Sequence, residues 1–220
     1  MKKQKSIATR EAYEEFRKAL EAFDAEALEE EVTCPSDIYR YYGFIDRMYV
    51  WLKNAYESDL QSLENEMRAI LGHMSEYSLD ESNLQKAYGH IRRLSTDTLK
   101  ILCNGLDLEF EEWILKHASF DYNNQDNLYI PMYVKKYNDA HKKYLEVQQK
   151  ENLGSNKKNR IIVSYYEVAK LFGSLYEYHI SERREKIHKR YRCLTLNRKI
   201  WTAATIIISV ISIIGYLISR

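Results

Sequence analysis

Arg183 and His188 stand five residues apart in the run Arg183-Arg184-Glu185-Lys186-Ile187-His188, an Arg-x4-His, and their types can do chemistry together. A guanidinium holds a phosphate through paired N–H donors and stabilises charge developing on it, and an imidazole exchanges a proton with a hydroxyl near neutral pH. On that reading Arg183 grips the phosphate of an RNA strand and His188 serves as general acid or base, with no metal and no cofactor. The same residues have two non-catalytic uses. They open a segment, Arg183 to Lys199, with eight Lys/Arg against one acid, and such a segment beside a bilayer binds anionic lipid at about 1 kcal/mol per base. Helical spacing also sets Arg183 between Ile180 and Ile187 on an inner row, where a charge needs a partner or a subunit interface. A second Arg-x4-His occurs at Arg68 and His73.

The commoner catalytic signatures are missing. There is no HExxH, GxxxxGK[ST], GxSxG or GxGxxG, so zinc hydrolysis, P-loop phosphate binding, acyl transfer on a nucleophile elbow and dinucleotide binding lose their usual residues. Three scattered cysteines, Cys34, Cys103 and Cys193, suit a reducing compartment and no zinc framework. Cys103 is expected in the core, and Cys193 lies close enough to the apolar tail for lipidation to be weighed.

What positions the basic segment is the stretch after it. Ile200 to Ser219 is twenty residues without a charge, the length a helix needs to cross the hydrocarbon core. Basic residues crowd its N-terminal flank (Lys186, Lys189, Arg190, Arg192, Arg198, Lys199) while only Arg220 follows. The positive-inside rule then predicts a single pass through the cell inner membrane with the N-terminus in the cytosol, and Trp201 and Tyr216 fall near the two interfaces. The start of the chain has no apolar h-region, so the expected topology is tail-anchored. Thr202, Thr205, Ser209, Ser212, Tyr216 and Ser219 recur at steps of 3 and 4 and put every hydroxyl of the span on one stripe. Three uses fit it: packing of one copy against another, the lining of a pore closed by several copies, or hydroxyls that bond to their own backbone.

Seven glycines and two prolines in 220 residues leave few turns, and 30% charged residues argue for long solvated helices. The net charge of +1 is a cancellation: residues 1–182 hold 24 bases against 31 acids. The expected fold class is all-α, a cytosolic helical bundle over residues 1–192, a basic juxtamembrane collar over 193–199 and a transmembrane helix over 200–219. Apolar spacing predicts a first helix capped by Thr9 and closed by Pro35. It predicts a second of nearly forty residues, capped by Ser36 or Asp37 and running through Leu52, Tyr56, Leu60 and Met67 to Met74. A third begins near Asp80 and stops at Asn104-Gly105, and a short helix follows from Leu108 to Ala118. A loop at Asp121 to Asp126 precedes a helix with Pro131 in its first turn and Val134, Tyr137, His141, Tyr144 and Leu145 inward. The last helix of the body, from about Arg160, turns Tyr165, Val168, Phe172, Tyr176, Ile180, Ile187 and Tyr191 inward and is expected to run toward the membrane with a short break near Thr195. Nineteen tyrosines exceed what a minimal core needs and are expected at helix seams or contacts between chains.

A helical bundle with an Arg-x4-His late in its last helix resembles the HEPN superfamily, in which a dimer brings two Arg/His pairs together to cleave RNA. HEPN-like proteins with a membrane anchor include accessory factors of RNA-targeting CRISPR systems thought to assemble into pores. The resemblance therefore implies an oligomeric membrane effector or accessory protein of bacterial antiviral defence, with membrane lipid, further copies of itself and an RNA or RNA-guided effector complex as partners. The residue after the arginine, polar in the superfamily's usual pattern, is here Arg184, a departure from it. A tail-anchored adaptor that binds a protein through its acidic bundle is the remaining alternative.

Overall fold

The computed structural model describes residues 9–30, 32–56, 60–75, 80–117, 129–153, 160–180, 189, 192–193, 195–207 and 209, and every regular element among them is helical. The body contains α1 (Arg10–Glu21), a single 3-10 turn (Ala27–Glu29), α2 (Pro35–Tyr56), α3 (Gln61–Ser75), α4 (Glu81–His117), α5 (Tyr129–Asn152) and α6 (Ile161–His179). Short polar side chains set several starts. Thr9 Oγ1 accepts the Ala12 N–H at 3.1 Å, and Asp80 Oδ1 accepts that of Asn83 at 2.8 Å. Asp37 Oδ2 reaches back to the Thr33 and Cys34 N–H groups at 3.2 Å, and these bonds hold its carboxyl below the usual range.

The helix α4 is the hub of the bundle, packed against α2, α3, α5 and α6, while α6 also meets α1. The core carries an aromatic chain through the middle of these seams: Phe16 of α1, Trp51 of α2, Phe110 of α4, Tyr133 and Tyr144 of α5, and Phe172 and Tyr176 of α6, with neighbouring ring centroids 5–6.5 Å apart. Tilted and edge-on pairs of this kind add to the burial of the rings themselves. Buried phenols are anchored across elements, as where Tyr49 Oη donates to Glu64 at 2.8 Å. Many of the tyrosines do lie at seams, but Tyr41, Tyr133, Tyr165 and Tyr176 are wholly inside.

Four expectations are corrected. Pro35 does not close the first helix. That helix ends at Glu21, Asp24 Oδ1 caps the 3-10 turn through the Ala27 N–H at 3.0 Å, and Pro35 is the first residue of α2, where a missing N–H costs nothing. The forty-residue second helix is two helices, α2 and α3. Tyr56, Leu60 and Leu63 keep helical spacing across the junction, so periodicity alone carries no sign of it. Asn104-Gly105 is not a stop: α4 runs through it for 37 residues, about 55 Å, and includes the segment expected as a separate helix. Gly105 is there for packing, because a Cβ at that position would lie 2.5 Å from Cζ of the buried Tyr56. Leu145 points outward, and Tyr133 and Ala140 take inner places on α5 beside Tyr137 and Tyr144.

The start of α6 is organised from a distance. Arg160 adopts a left-handed backbone (φ 42°) and pairs with Glu26, and one N–H of the first turn, that of Ile162, is met by Glu29 Oε1 at 2.9 Å. Arg92 of α4 holds the other oxygen of Glu29 at 2.7 Å. The expected loop at Asp121 to Asp126 lies outside the described residues, and so do Ile187 and Tyr191 of the expected last helix, of which α6 is the described part as far as His179.

Candidate functional site

The side chains singled out for chemistry divide sharply. Arg183, His188, Lys186, Arg190, Ser212, Tyr216 and Ser219 lie outside the described residues, as do Arg184 and Ile187. Lys189, Arg192, Arg198 and Lys199 are described and exposed, and so is Cys193. Residues 195–207 are helical, and within them only Thr195 and Ala204 are even half-covered. Thr202 donates its hydroxyl to the Arg198 carbonyl at 2.8 Å, Thr205 to that of Trp201 at 2.9 Å and Ser209 to that of Thr205 at 2.9 Å. The three described members of the hydroxyl stripe thus spend their protons on their own backbone. Among the described residues no helix is long and apolar enough to cross a membrane, and residues 208 and 210–220 lie outside them.

The second Arg-x4-His is described, and its two residues do different things. Arg68 pairs with Glu64 of its own helix at 3.5 Å, while the His73 ring stacks on His90 of α4 at 5.3 Å. Five residues on a helix turn the side chains well apart. His90 Nδ1 lies 2.7 Å from both Glu66 Oε2 and Arg93 Nη2. One ring nitrogen therefore faces an acceptor and a donor at once and can satisfy one of them. Against the opposing pull of burial, His90 and Arg93 hold the Glu66 carboxyl below its usual range.

A polar cluster that motif reading passed over closes the bundle where α6 ends. His179 Nδ1 is 2.7 Å from Tyr133 Oη, and its Nε2 is 3.8 Å from Glu109 Oε1. Trp113 stacks on His117 at 4.5 Å and meets the Tyr133 ring at 4.4 Å. His117 Nδ1 lies 2.7 Å from the Trp113 carbonyl, so that nitrogen carries the proton. Both histidines are buried, brought together by α4, α5 and α6. His179 and Tyr133 share a hydrogen bond with the Glu109 carboxylate close by as a nearby charge, and His179 stands four residues before Arg183 in the chain. Of its members only His179 lay close in sequence to the residues singled out for chemistry.

The same seam continues along α5. Asp107 Oδ1 of α4 accepts from His141 Nδ1 at 2.8 Å, and burial together with the Asp107 and Glu111 charges pushes the Tyr137 phenol up. One turn on, burial and then the neighbouring Cys103 push Tyr144 up to about 12. Tyr165 donates to Glu151 at 2.7 Å, and Glu151 also takes Lys100 at 3.0 Å. Tyr165 thus keeps its proton and donates it to the Glu151 carboxylate. Cys103 is wholly buried as expected, and burial drives its thiol far from ionisation. Among the described residues no three His, Cys, Asp or Glu side chains gather to hold a metal ion.

Comparison of the chain with protein-family models, with curated proteins and with solved structures finds no match.

Proposed function

We propose that this chain is a membrane-anchored helical-bundle effector or accessory protein that acts as a homo-oligomer, its cytosolic body held at the bilayer by the C-terminal helix. The observation that carries the reading is the uncovered helix at residues 195–207. Ile200, Trp201, Ile206 and Ile207 are between 56% and 73% exposed there, on an apolar run that continues in the sequence to Ser219. Residues of that size left open to water on all sides of a helix are stable only when something else covers them, and lipid and neighbouring copies both qualify. The basic collar supports the orientation, with lipid headgroups as its first partner. By its resemblance to HEPN-like accessory proteins the assembly would act in bacterial antiviral defence, as a pore or as a platform for an RNA-guided complex.

The test is the mass of the full chain in mild detergent. A defined multimer is expected, with Thr205→Ile, Ser209→Ile and Ser212→Ile combined shifting the cross-linking ladder toward monomer. A monomer of fixed mass would replace this reading with the tail-anchored adaptor.

A second reading is a membrane-tethered, metal-independent ribonuclease. It is favoured by the buried, hydrogen-bonded His179–Tyr133 pair, which lies at the end of α6 four residues before Arg183 in the sequence. RNA cleavage by the full chain, lost in Arg183→Ala and in His188→Ala with assembly unchanged, would establish it. No cleavage, with loss of oligomers in the same variants, would leave these residues at an interface.

A further inference from the structure

A groove runs along the seam between α1 and α6, and it changes character along its length. Beside the first turns of α1 it is a cavity of about 230 Å³ whose lining includes Tyr13, Phe16, Leu20 and Gly173. Beyond the end of α1 it becomes one of about 250 Å³, where Phe23 and Tyr166 stack at 5.7 Å among Glu21, Asp24, Glu26 and Glu167. Glu21, Tyr166 and Lys170 line both parts, so the groove is continuous. It is apolar first and acidic afterwards.

The bases along this seam do not balance its acids. Arg17 pairs with Glu14 and Glu21, Arg160 with Glu26, and Lys170 with Glu167. Those bases stand against six carboxylates, because Asp24 lines the groove and Glu177 faces Tyr13 from α6. The phenols register the surplus. Burial raises both, Glu177 adds to the rise at Tyr13 against Arg17, and Glu167 adds to it at Tyr166 against Lys170. Open aromatic rings followed by carboxylates in excess suit an extended segment that brings an apolar side chain and then lysines.

The chain holds such a segment within reach. Residues 1–8, outside the described residues, read Met1-Lys2-Lys3-Gln4-Lys5-Ser6-Ile7-Ala8, three lysines and no acid. Thr9 caps α1, so this segment joins the bundle at the apolar end of the groove. From Thr9 to Glu21 the helix rises about 18 Å, and eight extended residues span up to about 26 Å. We propose that residues 1–8 fold back along α1 and occupy the α1–α6 groove, with Ile7 over Tyr13 and Phe16 and the lysines among Glu21, Asp24 and Glu167. Read backward from Thr9, the segment is apolar and then basic, the order that the groove matches. Seated there it offsets the acidic surplus and closes the groove to other basic peptides. The membrane reading is not needed for it.

The full chain in mild detergent, with Cys34→Ser and Cys193→Ser so that only the buried Cys103 remains, is given Gln4→Cys and Lys170→Cys. The rate of disulfide formation under a mild oxidant is read on non-reducing gels. A link within one chain is expected. Adding Lys2→Glu, Lys3→Glu and Lys5→Glu should slow it roughly tenfold, the combined effect of several surface ion pairs, and adding Glu21→Lys with Glu167→Lys to that variant should restore it. Raising the salt concentration should slow the link in the chain with its charges intact, a check that alters no residue of the bundle. The inference is overturned if the chain with reversed lysines links as fast as the one without them, or if salt has no effect. A link that joins two chains would also overturn it and give the groove to a second copy.

Discussion

The bundle and the C-terminal helix treat the same two materials, apolar side chains and hydroxyls, in opposite ways. In the bundle, Phe110 and Phe172 are fully covered by other helices, and phenols bond across long stretches of chain, as Tyr166 of α6 does to the Leu20 carbonyl at 3.1 Å. In the described C-terminal helix Ile200, Trp201, Ile206 and Ile207 are open, and the hydroxyls of Thr202, Thr205 and Ser209 each bond four residues back. A segment whose polar groups are satisfied within itself is a complete element but takes no part in defining a tertiary fold. The contrast teaches that the bundle covers its own apolar side chains, while the large apolar side chains described in the C-terminal helix are left uncovered by the rest of the chain.

The largest effect should separate the two regions outright. Phe110→Ala removes a ring packed on Tyr133, Phe172, Tyr176 and His179, and should cost about 3–5 kcal/mol in urea unfolding. Ile206→Ala should leave the unfolding midpoint of the body where it is. Equal losses from the two substitutions would mean that the C-terminal helix packs into the bundle after all. Next comes Gly105→Ala. Alanine favours a helix by about 1 kcal/mol over glycine, but here its methyl meets the Tyr56 ring, so calorimetry should show a net loss of about 1–3 kcal/mol from overpacking. A gain in stability would show that Tyr56 has room to move.

Smaller effects test the hydroxyls. Tyr166→Phe keeps the ring under Lys170 and removes the bond to Leu20, and should cost about 1 kcal/mol. Thr205→Val should cost the body nothing. The smallest concerns pH. Because the folded-state pKa of Glu66 is depressed, its contribution is present above the unfolded carboxylate value and lost as pH falls through the folded one. Wild type should therefore exceed Glu66→Gln by up to about 1 kcal/mol near neutrality, after allowance for solvent screening, and the gap should close in acid. A gap constant from neutral to acid would assign the effect to packing instead of charge.

Helix content and most inner rows were legible in the sequence, because 3.6-residue periodicity is a local signal that survives without knowledge of the partner. Phe16, Leu52, Ile91, Val168 and Phe172 all lie where that period puts them. Boundaries were not legible where the local signal was silent or misleading. The apolar spacing runs unbroken from α2 into α3, and Gly105 reads as a C-terminal stop until Tyr56 is seen to occupy the space beside it. The His179–Tyr133–Glu109 cluster escaped motif reading for a related reason: its members come from three helices and share no spacing.

By itself the sequence determined an all-helical chain with an acidic body, a basic collar and an uncharged tail, since composition, charge order and period are properties of the chain read in one dimension. The tertiary structure alone decided that α4 passes through Asn104-Gly105, that Glu29 and Arg92 build the start of α6, and that the buried His179 meets Tyr133 and Glu109 at its end. Those features depend on residues tens of positions apart arriving at one place, and only packing in three dimensions selects which of them do.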